Sequence, residues 1–374
     1  MKRLSSKKRI KKLSRDRQLL KKRSSRKRNV SERQLYEDPD LKRAISKYHS
    51  QIAKVGHLLP ERRKVPRHGK RAVFDIVGEL DFEDNYAEML KVILALRKIP
   101  RTRRKLRYYL EFEKLTTISP GALLALAAEI DCLFSVTTKA TPADTDRWDE
   151  RVTALFNDFG IFELLNVNPV VNYTFGETLK ASKFIRGTTQ DGGAALQLIE
   201  NIVKISNEKP SEGERLYEGL GEALANALDH GHPNSYISYP ANLIRAWWAG
   251  AIYDESTKTT YFMVYDRGIG LPASIPEKHQ AWFSTIYDTI KGTKTEDAEL
   301  IWAAIKSPRS GTQLKHRGEG LKQMAEVVDN HPGSQLQILS GKGSVTYSGK
   351  GKRNLNALPV EFPGTLVEWR IHHD

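Results

Sequence analysis

From Ala72 onward the chain alternates between two kinds of segment, and that alternation limits its fold more than any other feature. AVFDIVGELDF and KLRYYLEFEKL have the period-two pattern and the β-branched and aromatic content of strands. NYAEMLKVILALRKI carries the apolar spacing of an amphipathic helix. SPGALLALAAEIDCLF opens with Ser119 as a helix N-cap and Pro120 in the first turn. ERVTALFNDFGIFELLNV continues the helix–strand rhythm. Strands alternating with helices pack as layers, so the expected fold class is α/β, built as an α+β two-layer sandwich. The pattern divides into a first module over 72–170, a connector over 171–190 and a second module over 191–374.

What precedes Ala72 has a different texture. Residues 1–30 hold 15 Lys and Arg against the single acid Asp16, which leaves 45 bases and 44 acids for the rest of the chain. The formal charge of +15 is therefore the property of a tail. With few apolar residues and strong self-repulsion the tail is expected to be disordered, although Leu13, Leu19 and Leu20 would give a helix a thin apolar stripe. Its obvious partner is a polyanion, with nucleic acid favoured over an anionic membrane surface or an acidic protein. Residues 31–71 are polar and Arg-rich, with Pro60 and Pro66, and read as a linker. The most apolar run, PGALLALAAEIDCLFSV, is interrupted by Glu129 and Asp131, so no membrane span is expected. No hydrophobic leader follows the first residues, which points to the cytoplasm. Cys132 is the only cysteine; it excludes an intrachain disulfide and a cysteine-rich zinc site, and its apolar setting suggests packing.

The order FDIVG, LRYYLEF and the Ser119 helix start resembles a STAS domain, the fold of anti-sigma-factor antagonists. In that family this helix start carries a phosphorylated serine. Here the segment is TTISPGALL, with Pro120 or Gly121 in the acceptor's place, so the resemblance implies a protein-recognition module with Ser119 as a cap.

In the second module, DGGAALQLIENIVKISN and LYEGLGEALANALDHG read as helices. Glu222 and Asn226, four residues apart in the latter, share a face among small packing residues. His230 and His232 are too thin a basis for a metal site. ANLIRAWWAGAIYD and TKTTYFMVYD are strands, and the second delivers Asp266 into a turn with Gly268 and Gly270. After a long insertion, HRGEGLKQMAEVVD places Gly318 and Gly320 at a helix start. QLQILSG and GSVTYSG suggest a hairpin, and GTLVEWRI closes the chain as a strand with Gly364 and Thr365 at its start.

E-x-x-x-N-A, D-x-G-x-G, G-x-G before a helix and a closing Gly-Thr strand, in that order, resemble the GHKL superfamily, whose Bergerat ATP-binding fold is shared by gyrase, histidine kinases and the large cytosolic chaperone; NALDHG is closest to the anti-sigma serine kinases. The resemblance implies ATP and Mg²⁺ as ligands. It implies that Asp266 accepts the adenine amino group, that Gly268 and Gly270 let the backbone run beneath the base, that Asn226 holds Mg²⁺ and that Glu222 acts on the attacking nucleophile. Gly318 and Gly320, at a helix start, expose backbone N–H groups to phosphate, and Thr365 is a further cofactor-binding position. Residues 272–317 become a lid from which Lys315 or Arg317 reaches the γ-phosphate. A homodimer is compatible with it.

The expected function is a nucleotide-driven switch or slow ATPase, with nucleic acid reached through residues 1–30 and a protein partner through the STAS-like module. An anti-sigma-type serine kinase and a non-catalytic, ATP-dependent binding protein are the alternatives. Both enzyme readings need Glu222, and the binding reading does not.

Overall fold

A computed structural model describes residues 39–102, 108–136, 144–169, 178–189, 192–208, 213–229, 246–278, 290–306, 320–329 and 331–373. The basic tail lies outside them. The first module holds α1 (Pro39–Val55), β1 (Glu61–Val65), β2 (Gly69–Leu80), α2 (Tyr86–Thr102), β3 (Tyr108–Ile118), α3 (Pro120–Val136), α4 (Glu150–Phe159) and α5 (Ile161–Leu165). The second holds β4 (Leu179–Gly187), α6 (Gly192–Ser206), α7 (Gly213–Asp229), β5 (Trp247–Asp254), β6 (Thr259–Asp266), α8 (Leu271–Lys278), α9 (Glu296–Lys306), α10 (Gly320–Asp329), β7 (Gln335–Tyr347) and β8 (Arg353–His372). The fold is mixed α/β, with a three-stranded sheet ordered β1-β2-β3 and a five-stranded sheet ordered β4-β5-β6-β8-β7. β2 and β3 run parallel, and α2 supplies the crossover that parallel neighbours need. Every neighbouring pair in the five-stranded sheet is antiparallel.

α3 lies at the centre. Every residue from Gly121 to Leu133 is buried, as expected of a helix apolar on all sides. It packs on α2 and, from its other side, on β5, β6 and β8. One continuous core therefore runs from Leu90 and Leu123 of the first module to Trp248, Tyr265 and Leu366 of the second sheet. α6, α7, α9 and α10 cover the opposite face of that sheet and form a second core around Val264, Val367 and Trp369.

Glu129 and Asp131, the charges that interrupt the apolar run of α3, bind the two modules together. Arg97 on α2 donates from Nε and Nη2 to Glu129 Oε1 at 2.9 and 2.7 Å, and Arg267 Nε lies 3.2 Å from the same oxygen. Tyr265 donates its hydroxyl to that oxygen at 3.1 Å. Asp131 receives Arg186 Nη1 at 3.0 and 2.9 Å and the indole N–H of Trp248 at 2.9 Å. Cys132 is buried beside them, and burial pushes its thiol up to about 11, which suits a packing role.

Several boundaries differ from the sequence reading. The expected linker over 31–71 contains α1, β1 and the first residues of β2. α1 buries Tyr48, Gln51, Ile52 and Val55, a helical stripe outnumbered by its charged neighbours. The expected connector over 171–190 contains β4, the edge strand beside β5. ERVTALFNDFGIFELLNV is two helices rather than helix and strand, because Gly160 caps α4 in the left-handed conformation and α5 follows at once. QLQILSG and GSVTYSG are one strand rather than a hairpin. The glycines at 341 and 343 take up bulges instead of a reversal, with register shifts at both. No helix among the described residues is long and apolar enough to cross a membrane.

Candidate functional site

Asp266 ends β6, and the register of the sheet decides what surrounds it. In the antiparallel pairing Asp266 stands opposite Thr365 on β8, and Thr365 stands opposite Ser340 on β7. Register partners project to the same face, so the three side chains form a polar row across adjacent strands. The Thr365 hydroxyl bonds to the Asp266 carboxylate, and Ser340 Oγ lies 3.0 Å from Thr365 Oγ1. When ionised the carboxylate can only accept, so Thr365 donates to it, and the Ser340 hydroxyl is shared between the Gly364 carbonyl at 3.1 Å and Thr365 Oγ1. Ser340 in turn accepts the Leu271 N–H at 2.8 Å, and the Gly268 N–H donates to Asp266 Oδ1 at 2.6 Å.

Asp266 and Thr365 form the floor of a narrow cleft, with Ser340 behind them. Val264 of β6 and Val367 of β8 flank the floor two residues from Asp266 and Thr365. The walls come from Ala223, Asn226 and Ala227 on α7 and from Leu321 and Met324 on α10, and Gly270, Leu271 and Ser274 close one side. The spacing on α7 is one face of a helix, and its alanines leave room that larger side chains would fill. A mostly apolar cleft with a few convergent polar groups is the ordinary form of a small-molecule site.

Two glycines make the floor possible. Gly270 has φ +87°, which turns the chain sharply after β6. Gly364 has φ +129°, and a Cβ there would collide with the Asp266 carbonyl. β8 can therefore run close enough to β6 for Thr365 to reach the carboxylate only with glycine at 364.

The expected site residues divide into three groups. Asn226, Asp266, Gly270 and Thr365 line the pocket together, and Gly268 holds Asp266 from below. Glu222 stands one turn before Asn226, with its carboxylate against Gly320 at the first residue of α10. A Cβ on Gly320 would strike Glu222 Oε2, so this glycine makes room for the acid. Lys315, Arg317, Gly318, His230 and His232 lie outside the described residues. The expected lid over 272–317 is largely structural where it is described. α9 buries Ala298, Ile301, Trp302 and Ile305 in the second core, and Asp297 Oδ2 accepts the Lys342 N–H at 2.6 Å. Ser340 was not among the expected residues. Its role depends on strand register, for which a single serine in QLQILSG carries no signal.

No family model matches the chain, and no curated protein matches it in sequence. Its chemistry has to be read from the pocket itself.

Asp266 is only 6% exposed, and burial pushes its carboxyl up to about 7 against the pull of Gly268, Thr365 and Arg97. The folded chain therefore keeps a proton that the unfolded chain has lost between pH 3.8 and about 7. Stability falls as pH rises through that window, by on the order of 1 kcal/mol per pH unit, and is level above it. Asp266→Asn removes the titrating group. Its melting temperature relative to wild type is expected to climb from pH 5 to pH 7 and then hold, measured by thermal denaturation of both proteins. Parallel curves across that range would show that Asp266 does not titrate in the folded protein.

Proposed function

We propose that the pocket binds the adenine of Mg·ATP and that the protein is a nucleotide-driven switch or slow ATPase of the GHKL type. The observation that carries this reading is Asp266, a buried carboxylate fixed by Gly268 and Thr365 at the end of an apolar cleft. Such a group is suited to one task above others: accepting hydrogen bonds from an amine on a flat, apolar ring. Val264, Val367, Leu321 and Met324 offer that ring apolar surface. Asn226 would supply one oxygen to Mg²⁺, and that ion ordinarily completes its shell with phosphate oxygens and water. The metal's contribution when bound is to neutralise charge on the phosphates. Glu222 would orient or deprotonate the attacking water.

A second reading has one observation in its favour. The Glu222 carboxylate lies at the N-terminal end of α10, where a negative charge meets the helix dipole favourably. If that is its whole task, the protein binds ATP without turning it over and uses it to order a partner-binding form. In both readings the basic tail offers contact with nucleic acid.

The recognition of adenine is tested by comparing ATP with ITP in calorimetry at pH 8, where Asp266 is ionised. ITP replaces the amine by a carbonyl, which sets an acceptor against the carboxylate in a buried site. ATP is expected to bind more tightly by on the order of 10–100-fold. Equal affinities would remove the amine–Asp266 contact.

A further inference from the structure

The remote end of the first module carries a concentration of charge that neither the core nor the pocket uses. Residues 61–71 read ERRKVPRHGKR, six bases against Glu61. Outside residues 1–30 the chain is otherwise nearly balanced, so a net of +5 within eleven residues is a local feature. The segment is a hairpin: β1, the edge strand of its sheet, turns back into the start of β2.

Its register sets like charges face to face. Arg63 stands opposite Arg71, and Lys64 stands opposite Lys70. Directly opposed like charges destabilise a strand pair. Arg63 is neutralised by Asp75, with bonds of 2.8 and 2.6 Å. Lys64 and Lys70 are exposed, as is Arg62 on the same face, and these three have no carboxylate partner among the described residues.

The turn adds a second, independent observation. His68 N–H donates to the Val65 carbonyl at 3.1 Å, with Pro66 and Arg67 as the central residues. Arg67 has φ +61°, in the position of a type II turn that glycine or asparagine normally fills. A long cationic side chain thus occupies a backbone conformation that disfavours it, at an exposed tip, where its guanidinium reaches Asp144 at 3.1 Å and Asp146 at 3.4 Å while the side chain stays 70% exposed. Strain of this kind, held at a surface turn, is a reason to look for function.

We propose that the β1–β2 hairpin is a nucleic-acid contact in which Arg62, Lys64, Arg67 and Lys70 neutralise backbone phosphates. Same-face residues two apart on a strand are separated by about 7 Å, roughly twice the 3.4 Å rise per phosphate of one duplex strand. Phosphates would relieve the Lys64–Lys70 repulsion, which a solvated edge leaves in place. An anionic membrane is less well matched within the hairpin, where Val65, the one branched aliphatic side chain from Glu61 to Arg71, is buried in the module and the exposed Leu59 stands outside β1. The contact is part of the folded protein, separate from the tail and independent of the nucleotide pocket.

The test is fluorescence anisotropy with a short labelled DNA duplex, titrated at several salt concentrations. The full-length Arg62→Gln/Lys64→Gln/Lys70→Gln variant is expected to lower the slope of log K against log salt by about 3, and to do so again in a chain lacking residues 1–30. ATP binding by the variant should not change. Arg67→Gly should lower the slope by about 1 and raise the melting temperature, because glycine suits the turn. An unchanged slope in both backgrounds overturns the proposal. So does a variant that still binds DNA but no longer binds phosphatidylserine vesicles, which would assign the hairpin to a membrane. A lower melting temperature for Arg67→Gly, with an unchanged slope, would make Arg67 a structural partner of Asp144.

Discussion

Replacing Glu129 with alanine is expected to cost about 3–5 kcal/mol of stability, a large share of the roughly 5–15 kcal/mol that holds an ordinary protein folded. Glu129 is 1% exposed and lies between two guanidiniums, Arg97 at 5% and Arg267 at 2%. The substitution removes one buried negative charge and leaves two buried positive ones facing each other. It also strips the Tyr265 hydroxyl of an acceptor. An exposed ion pair of the same length would be worth less than about 1 kcal/mol, and burial makes the difference. The effect should reach the pocket as well, because Arg267 follows Asp266 directly and its side chain points the other way, into the first module. Urea denaturation of wild type and variant measures the loss. A change below about 1 kcal/mol would mean that solvent reaches the cluster and that the modules are joined by apolar packing alone.

The second large effect is kinetic. Glu222→Gln keeps the size and much of the hydrogen bonding of the side chain and removes its basicity. If Glu222 acts on water, turnover should fall by roughly 10²–10⁴-fold while nucleotide affinity, set by Asp266 and Asn226, barely moves. The charge also meets the N-terminus of α10, and losing that interaction should cost about 0.3–1 kcal/mol of stability in either reading. Turnover therefore separates the readings where stability does not. With radiolabelled ATP the destination of the phosphate is visible too. Label on a hydroxyl of this chain or a partner would favour the serine kinase reading. Turnover unchanged by Glu222→Gln would leave the acid a purely structural part of α10.

The elements with strong periodicity were legible from the sequence. α2, α3, α6, α7 and the β5–β6 pair follow their apolar patterns closely, and the mixed α/β class follows from them. The misses have physical causes. α1 holds its core contacts to one narrow stripe amid lysines and arginines, so composition hid the period. β4 buries only Ala181 and Ser182, and a register shift between Ser182 and Ile185 breaks its alternation. Glycines that mark a turn in one context mark a bulge in another, which is why β7 runs on as a single strand. In the pocket, Asp266, Gly270 and Asn226 were visible as residue types at telling positions. The row of Asp266, Thr365 and Ser340 depends on which residues face each other across strands far apart in sequence, and no local pattern carries that. The role of α3 was hidden for the same reason. Glu129 and Asp131 break an apolar run, but their arginine partners lie on α2, β4 and the turn after β6.

The account rests on Asp266 as the acceptor for an adenine amine, and the most direct measurement is a four-way comparison: ATP and ITP, each titrated by calorimetry at pH 8 into wild type and Asp266→Asn. Wild type should prefer ATP by on the order of 10–100-fold. In the variant the side-chain amide can present either its oxygen or its NH₂ to the ring, so that preference should vanish or invert. An ATP preference that survives Asp266→Asn undiminished, or the absence of ATP binding to wild type in the presence of Mg²⁺, would contradict the account.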